Sequence, residues 1–316
     1  MPLNTMNTIS SLSNHERVGS HAKAERLAFI DFKVRYEGVI YRGDIAREFG
    51  VSDTIASKDI TLYKEVTDGK NLLPTRANTI DVDRYSPLVE IKAHNALDMI
   101  FEGFCRNKLN ENHPRNYKRA CYTADLSQEN VSIITRAIHR KKRVLCSYVS
   151  ANSDKRKLRK LEPVGAYYDG LNWIFRALDL SDETKIIYKS FHFSRIIEVA
   201  ETTEDAHASV ENDAKWNSII PMQLQLHPYL TEIQKEGYRK DFGMEEGQDE
   251  IVLTPTLVES WSIIERWGID TNITPLPISR FPFHLKNAEM LQSIDGFNFI
   301  VTDFHLVEKS TLDGGE

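Results

Sequence analysis

Residues 42–64 read RGDIAREFGVSDTIASKDITLYK, two short helical patterns separated by a glycine. The apolar spacing predicts a first helix that begins at Arg42 and stops at Gly50. Ser52 is a favourable N-cap for a second helix that continues to about residues 64–66. Two short helices joined by a tight turn form the helix-turn-helix pattern.

The second of these helices has an outer stripe suited to contact DNA. Small hydroxyls and a cation recur there at helical spacing, and such side chains reach base edges and phosphates in a major groove. The apolar positions expected to face the core are Ile55, Ala56, Ile60 and Leu62. The stripe, its flanking residues and one cation further along give the predicted DNA contacts Ser52, Thr54, Ser57, Lys58, Thr61, Lys64 and Arg76.

The neighbouring segments complete a winged helix-turn-helix over residues 16–86. An amphipathic helix over 21–36 precedes the pair and is ended by Gly38. Two extended runs within 72–82 predict a β-hairpin wing with Arg76 at its tip. The polar residues 1–15 are expected to be a disordered tail, and the pattern that starts at Ser86 predicts a helical connector over 87–124.

A different pattern begins near residue 126 and predicts a second domain over 125–245. One helix over 129–143 is followed by five short extended runs with polar turns between them. The runs lie at 144–149, 159–164, 173–178, 185–190 and 193–199. One helix and five strands fit a small, strongly bent sheet or an open barrel.

The rest of the chain predicts a small α+β domain over 246–316. Its predicted helices lie at 258–267 and 286–294, and its predicted strands lie near Pro275 and at 299–303. A strand at 222–226 and a helix over 228–242 are assigned to the preceding domain. The fold class expected for the whole chain is therefore multidomain α+β.

Charge is unevenly distributed along the 316 residues, although the net charge is only −6. Residues 105–160 hold 15 Lys and Arg against 4 Asp and Glu, whereas residues 201–316 hold 8 against 21. A polyanion can therefore be bound locally while the last third stays acidic. Three separated cysteines, no apolar membrane span and no signal peptide favour the cytoplasm, with no membrane partner.

Enzyme chemistry is not expected. A nuclease or nucleotide hydrolase needs clustered carboxylates for a metal or a nucleophile with its base. The basic middle holds few acids, and the chain contains no Walker loop, His-Glu-x-x-His or Gly-x-Ser-x-Gly motif. We therefore predict no cofactor and no metal site, and a nucleic-acid-processing enzyme is the weakest alternative.

The central strands resemble a known family. Residues 172–177 (NWIFRA) resemble the Trp-Tyr-Leu strand that names the WYL-domain transcriptional regulators, and residues 189–196 (KSFHFSRI) resemble the Arg-x-Phe-x-x-x-Arg-Ile element that follows it. Residues 51–63 and 257–270 are similar to the recognition helix and the C-terminal extension domain of the BREX-type branch, which represses phage-defence islands. Ile174, Phe175 and Lys189 depart from the family motifs.

The resemblance implies an Sm-like β-barrel that senses a ligand, a homodimer, and repression of a defence operon. The dimer is expected to place two recognition helices about 34 Å apart on an inverted repeat in double-stranded DNA. Cations, hydroxyls and aromatics suit an anionic ligand such as a nucleotide or oligonucleotide. The candidate ligand residues are Ser147, Tyr148, Arg159, Trp173, Arg176, Lys189, His192 and Arg195. An Sm-like module that binds RNA or another single strand is the alternative.

Overall fold

The structure, a computed structural model, describes residues 8–75, 77–109, 125–150, 156–277 and 280–294. The chain divides into two compact units, Met1–Ala208 and Ser209–Glu316. In the first unit the helices are α1 (Ile9–Ser13), α2 (His21–Glu37), α3 (Arg42–Phe49), α4 (Asp53–Val66), α5 (Ala93–Glu102) and α6 (Gln128–Arg140). Its strands are β1 (Lys142–Tyr148), β2 (Lys157–Tyr168), β3 (Trp173–Asp179), β4 (Ile187–His192) and β5 (Ile196–Asp205).

The predicted helix-turn-helix is confirmed, and its helix ends follow from local sequence. Helices α2 and α3 each end on a glycine with left-handed backbone, Gly38 at φ 84° and Gly50 at φ 64°. The Ser52 hydroxyl accepts a hydrogen bond from the Ile55 amide and caps α4. The recognition helix therefore begins where the sequence predicts it.

The wing is narrow and is bonded to the end of α2. Leu72 pairs with Ile80 and Val39 pairs with Thr79, each as a single antiparallel bridge. The Ile80 amide donates to the Gly38 carbonyl at 2.9 Å. Two adjoining extended segments and the C-terminus of α2 thus form one small structure next to α3.

The prediction of a disordered tail over 1–15 is wrong for residues 9–13, which form α1. Its Ile9 and Leu12 side chains are fully buried, and Thr8 caps the helix by accepting from the Ser11 amide. The polar residues between these two concealed the short amphipathic pattern. Residues 1–7 lie outside the described part of the chain.

The predicted helix from Ser86 is shorter than expected: within the described part of that segment only α5 is α-helical, and a 3₁₀ helix follows at Arg106–Leu109. Residues 86–92 are irregular instead. The amides of Leu88 and Val89 donate to the buried carboxylate of Asp31 in α2, at 2.9 and 3.2 Å. This long-range acceptor replaces the helical hydrogen bonds that the apolar spacing predicted.

Strands β1–β5 form one antiparallel sheet in the order β4-β3-β2-β1-β5. Helix α6 packs on β1, β2 and β5. Strands β4 and β5 are the two edges of this sheet and no pairing between them closes it among the described residues. The prediction of one helix and five strands is confirmed, but the described strands form an open sheet and no closed barrel.

The second unit has a separate sheet and a separate core. Its helices are α7 (Ala214–Asn217), α8 (Glu232–Asp241), α9 (Leu257–Trp267) and α10 (Ala288–Gln292). Its strands are β6 (Met222–Leu226), β7 (Glu250–Leu253), β8 (Ile269–Asp270) and β9 (Phe283–Leu285), in the order β7-β6-β9-β8. No helix in the described ranges has the length and apolar character that crossing a bilayer demands.

Two details of the C-terminal prediction are corrected. Strand β6 pairs with β7 and β9, so residues 222–226 belong to the second unit and the predicted boundary at 245/246 falls inside it. Near Pro275 the described residues form no strand, because the chain there turns back to donate the Leu276 amide to Asp270 at 2.8 Å. The predicted strand at 299–303 lies outside the described residues.

One apolar cluster runs through the whole first unit, from Ile9 in α1 to Val199 in β5. Helix α2 lies at its centre and contacts α1, α3, α4 and α6. A helix that buries residues on every side must pack against several neighbours at once. The helix-turn-helix and the five-stranded sheet are therefore built on a shared core.

We expect Asp31→Ala to lower the free energy of unfolding of the first unit by about 3–5 kcal/mol, because buried donors would lose their acceptor. Those donors are the hydroxyls of Tyr63 and Tyr85 and the amides of Leu88 and Val89. Urea denaturation followed by far-UV circular dichroism measures the change. The exposed Asp83→Ala is the control. Equal stability of the two variants would contradict this role.

Candidate nucleic-acid interface and ligand site

The stripe of predicted DNA contacts on α4 is exposed to solvent. The exposed members are Ser52, Thr54, Ser57, Lys58 and Thr61, and Lys64 is half-buried. Arg76 lies outside the described residues. The prediction that Ile55 faces the core is wrong, since Ile55 is 41% exposed. It lies beside the buried face that Ala56, Ile60 and Tyr63 form at helical spacing.

Two buried polar contacts fix α4 against α2. Arg26 donates to both carboxylate oxygens of Asp59, at 2.7 and 3.2 Å, in a two-pronged pair. The Tyr63 hydroxyl donates to Asp31 at 2.7 Å. Burial raises the pKa of Tyr63 well above 10, and the neighbouring Asp31 raises it further, so this hydroxyl stays a donor. The exposed stripe is thus carried on a helix whose rotation is fixed.

An open groove of about 550 Å³ separates the stripe from the wing. The residues that line it are Tyr41, Arg42, Gly43, Ser57, Ile60, Ala77 and Asn78. Arg42 is exposed and lies 3.4 Å from Asp53, the first residue of α4. Tyr41, Arg42 and Asn78 line this groove and were not selected from the sequence. Arg42 and Asn78 are 36 positions apart, and the bridges at the wing base bring their segments together.

The candidate ligand residues divide between the two faces of the five-stranded sheet. Directly paired residues share a face, and Cys146 pairs with Arg159 while Ala177 pairs with Lys189. The face that packs on α6, called the inner face, carries Tyr148, Arg159, Trp173 and Lys189. The opposite, outer face carries Ser147, Arg176 and His192.

The inner face holds two cations around one buried carboxylate. Arg159 Nη1 and Lys189 Nζ donate to Asp179 Oδ2 at 2.6 and 2.8 Å. Burial acts to raise the pKa of Asp179, but the hydrogen bonds from Lys189 and Ser181 outweigh it and leave the pKa below its ordinary value. Arg159 Nε is buried and finds no acceptor within the described ranges. The cluster therefore has an excess positive charge and an unused donor.

The outer face holds a buried guanidinium with hydroxyl neighbours. Arg176 is only 3% exposed, and its Nη1 donates to Ser190 Oγ at 3.1 Å. The Tyr167 hydroxyl lies 3.2 Å from the same Oγ. A register shift between Pro163 and Gly165 in β2 places Tyr167 on this face. Ser190 and Tyr167 are further polar residues that sequence reasoning did not select.

The last candidates meet at the corner between β4 and β5. Arg195 ends the 3₁₀ turn Phe193–Arg195, and the Tyr148 hydroxyl accepts from the His192 amide at 3.0 Å. Burial lowers the pKa of His192 below 6.5, and the Arg195 cation lowers it further. The imidazole is therefore neutral near pH 7, and Arg195 carries the positive charge of this corner.

Comparison with known families matches both domains of the first unit. Residues 22–80 match the BrxR transcriptional regulator winged helix-turn-helix domain, and residues 129–201 match the WYL domain. A winged helix-turn-helix on the same chain as a WYL sheet defines a class of transcriptional regulators. The chain thus carries the two domains of a WYL-domain transcriptional regulator with a BrxR-type winged helix-turn-helix. The family resemblance seen in the sequence is thereby confirmed.

Three relatives share one description, DNA-binding transcriptional repressor CapW. The protein from Stenotrophomonas maltophilia is 24% identical over 249 residues, covering 77% of this chain and 81% of its own length. The Pseudomonas aeruginosa protein is 26% identical over 71% of this chain and 76% of its own length, and an Escherichia coli protein has the same three values. These relatives are repressors, which confirms the prediction of a regulator over an enzyme.

Two solved structures are also similar to parts of this chain. The proteasome accessory factor B/C of Arthrobacter aurescens is 15% identical over 64% of this chain and 38% of its own, with a TM-score of 0.25. A CRISPR Cas-related protein is 12% identical over 78% of both chains, with a TM-score of 0.30.

Among the described residues no cluster of three or more His, Cys, Asp or Glu could hold a metal ion.

Proposed function

We propose that this protein is a DNA-binding transcriptional repressor of a phage-defence operon. It acts in the cytoplasm as a homodimer on an inverted repeat, and an anionic ligand of its WYL domain controls its release. The observation that carries the proposal is the exposed stripe of α4, held in place by α2 and facing a groove beside the wing. The similarity to CapW repressors over about three quarters of the chain supports the same function.

The stripe has the chemistry of a recognition helix. The hydroxyls of Thr54 and Ser57 can bond to base edges, and Lys58 can bond to a guanine or a phosphate. Across the groove, Arg42 and Asn78 are placed to contact the phosphate backbone that flanks a major groove. The Asp53 carboxylate, 3.4 Å from Arg42, competes with a phosphate for this cation. Specific contacts thus come from α4, and orientation comes from the residues around it.

The proposed homodimer follows from the geometry of such sites. One recognition helix reads only a few base pairs, and two related by a two-fold axis read half-sites about 34 Å apart. The acidic composition of residues 201–316 keeps a second surface of the dimer away from DNA. Affinity is expected to fall steeply with salt, because bound cations release counterions from the duplex.

We expect Lys58→Ala to weaken binding to the DNA upstream of the protein's own gene and to reduce the salt slope by about 1. A gel-shift titration of the full chain with scrambled duplex as competitor measures both. Lys240→Ala, which removes an exposed lysine of the second unit, is the matched control. Parental affinity of the Lys58 variant would reject α4 as the contact, and removal of the complex by the scrambled duplex would leave a general nucleic-acid binder and favour the Sm-like RNA module.

We propose that the ligand binds on the inner face, at the cluster formed by Arg159, Lys189 and Asp179. A phosphate can use the free Arg159 Nε and replace the Asp179 carboxylate as the partner of Lys189. Phe191 lies under the Arg159 guanidinium, with Arg159 Cζ 5.9 Å from the ring centre, and this buried ring supports the cation. A nucleotide or oligonucleotide supplies the phosphate.

We expect Asp179→Asn to raise affinity for a fluorescent single-stranded oligonucleotide about five- to tenfold, because a competing carboxylate is lost. Fluorescence anisotropy at fixed salt measures binding to the full chain. Arg159→Ala should abolish the gain, whereas Arg176→Ala on the outer face should preserve it. If Arg176→Ala alone removed the gain in affinity, the ligand site would lie on the outer face instead.

A further inference from the structure

Helices α2 and α6 join the helix-turn-helix to the WYL sheet through polar contacts at the end of α2. Arg35 Nη1 donates to the Gln128 side chain at 3.2 Å, and Arg136 Nη1 donates to the Arg35 carbonyl at 2.8 Å. A Cβ atom at Gly38 would lie 2.6 Å from Cδ of Arg140, so a side chain there would displace Arg140. Any movement of α6 therefore reaches the last turn of α2 directly.

Arg136 also faces Glu201 of β5, and this second contact is incomplete. Arg136 is buried and Glu201 is half-buried with a buried Oε2, and Arg136 Nε lies 3.8 Å from that Oε2, beyond hydrogen-bonding distance. In the described part of the chain neither of these two atoms has a hydrogen-bond partner. Arg140 Nη1 meanwhile contacts the other oxygen of Glu201 at 3.1 Å.

An incomplete buried ion pair is costly, and a small closing movement would satisfy it. Buried charged groups that lack hydrogen bonds destabilise a fold. A movement of β5 toward α6 by about 1 Å would bring Nε and Oε2 of this pair into hydrogen-bonding range. Arg136 thus has two arrangements available. In one its Nη1 bonds to the Arg35 carbonyl and to the Ser132 hydroxyl of its own helix, and in the other its Nε also bonds to Glu201.

The contacts of Arg136 with Arg35 and with Glu201 lead toward the wing and toward the WYL sheet, the two places that the proposed regulation must connect. On the α2 side, the Gly38 carbonyl accepts from the Ile80 amide, and the Ile40 amide donates to the Asn78 carbonyl at 3.3 Å. These bonds hold the base of the wing. On the sheet side, α6 is tied through Asn130 to the carbonyl of Ile196, the residue after the candidate ligand contact Arg195.

We propose that Arg136 is a positioning residue that couples the placement of β5 to the placement of the wing. When β5 moves toward α6, Arg136 closes on Glu201, and the pull on the Arg35 carbonyl shifts the last turn of α2 with the wing base. The proposed ligand site is connected to β5 through β1, because Cys146 pairs with Arg159 on one side and with Val199 of β5 on the other, and a ligand there then has a route to the DNA-binding surface. The proposal rests on the proposed function for its regulatory meaning, but the coupling itself requires neither DNA nor ligand.

Amide hydrogen exchange of the full chain, without DNA or ligand, tests the coupling. We expect Arg136→Gln and Glu201→Gln each to raise exchange of the Ile40 and Ile80 amides at least about fivefold, since a loosened end of α2 opens the wing base more often. The Phe175 amide in β3 should keep its parental rate. Arg239→Gln is the matched control, because Arg239 is a paired arginine of the second unit that contacts Glu232 and Asp249 and not β5.

The Glu201 variant is decisive, because the contacts of Glu201 described above are with α6 and not with the wing. Parental exchange at Ile40 and Ile80 in Glu201→Gln would overturn the proposal, as would a uniform increase that includes Phe175. If Arg136→Gln fails to fold, Glu201→Gln alone decides. The exchange experiment contains no nucleic acid, so its failure would not count against DNA binding. Conversely, a failure to bind DNA would not change what the exchange rates show about the coupling.

Discussion

The carboxylate of Asp31, buried in the middle of α2, accepts hydrogen bonds from α4, from Tyr85 and from the backbone of residues 88 and 89. A buried charge is tolerated only when such partners surround it. Every element that contributes one of these donors is therefore fixed relative to α2. Near its C-terminal end the same helix bonds to α6, where the Arg35 carbonyl accepts from Arg136. One helix thus sets the position of the recognition helix, the wing and the sensor sheet.

This shared helix constrains how regulation can work. The two domains of the first unit have one continuous apolar core, so the proposed ligand cannot act by separating them as free bodies. It must act through small shifts of packed elements, because a packed core switches between discrete arrangements instead of deforming continuously. A coupling of about 1–3 kcal/mol between ligand and DNA is enough for a useful switch. The buried polar contacts at the α2–α6 joint are of the right kind to carry such an energy.

Local features were predicted well from sequence, and long-range ones were not. Gly38, Gly50 and Ser52 act on their own helices, so their patterns are sufficient to place the helix ends and the exposed stripe. The role of Asp31 depends on partners up to 58 positions away. The division of the ligand candidates between two sheet faces depends on strand register and on the shift after Pro163. Neither is encoded within a single segment.

The central claim is that α4 places this protein on a two-fold symmetric DNA site. Hydroxyl-radical footprinting of the upstream DNA, with the full chain at fixed salt, tests it most directly. The account predicts two protected windows about 10 base pairs apart, centre to centre, on an inverted repeat, because two recognition helices occupy successive major grooves on one side of the duplex. Uniform protection along the fragment, or one window without symmetry, would contradict it.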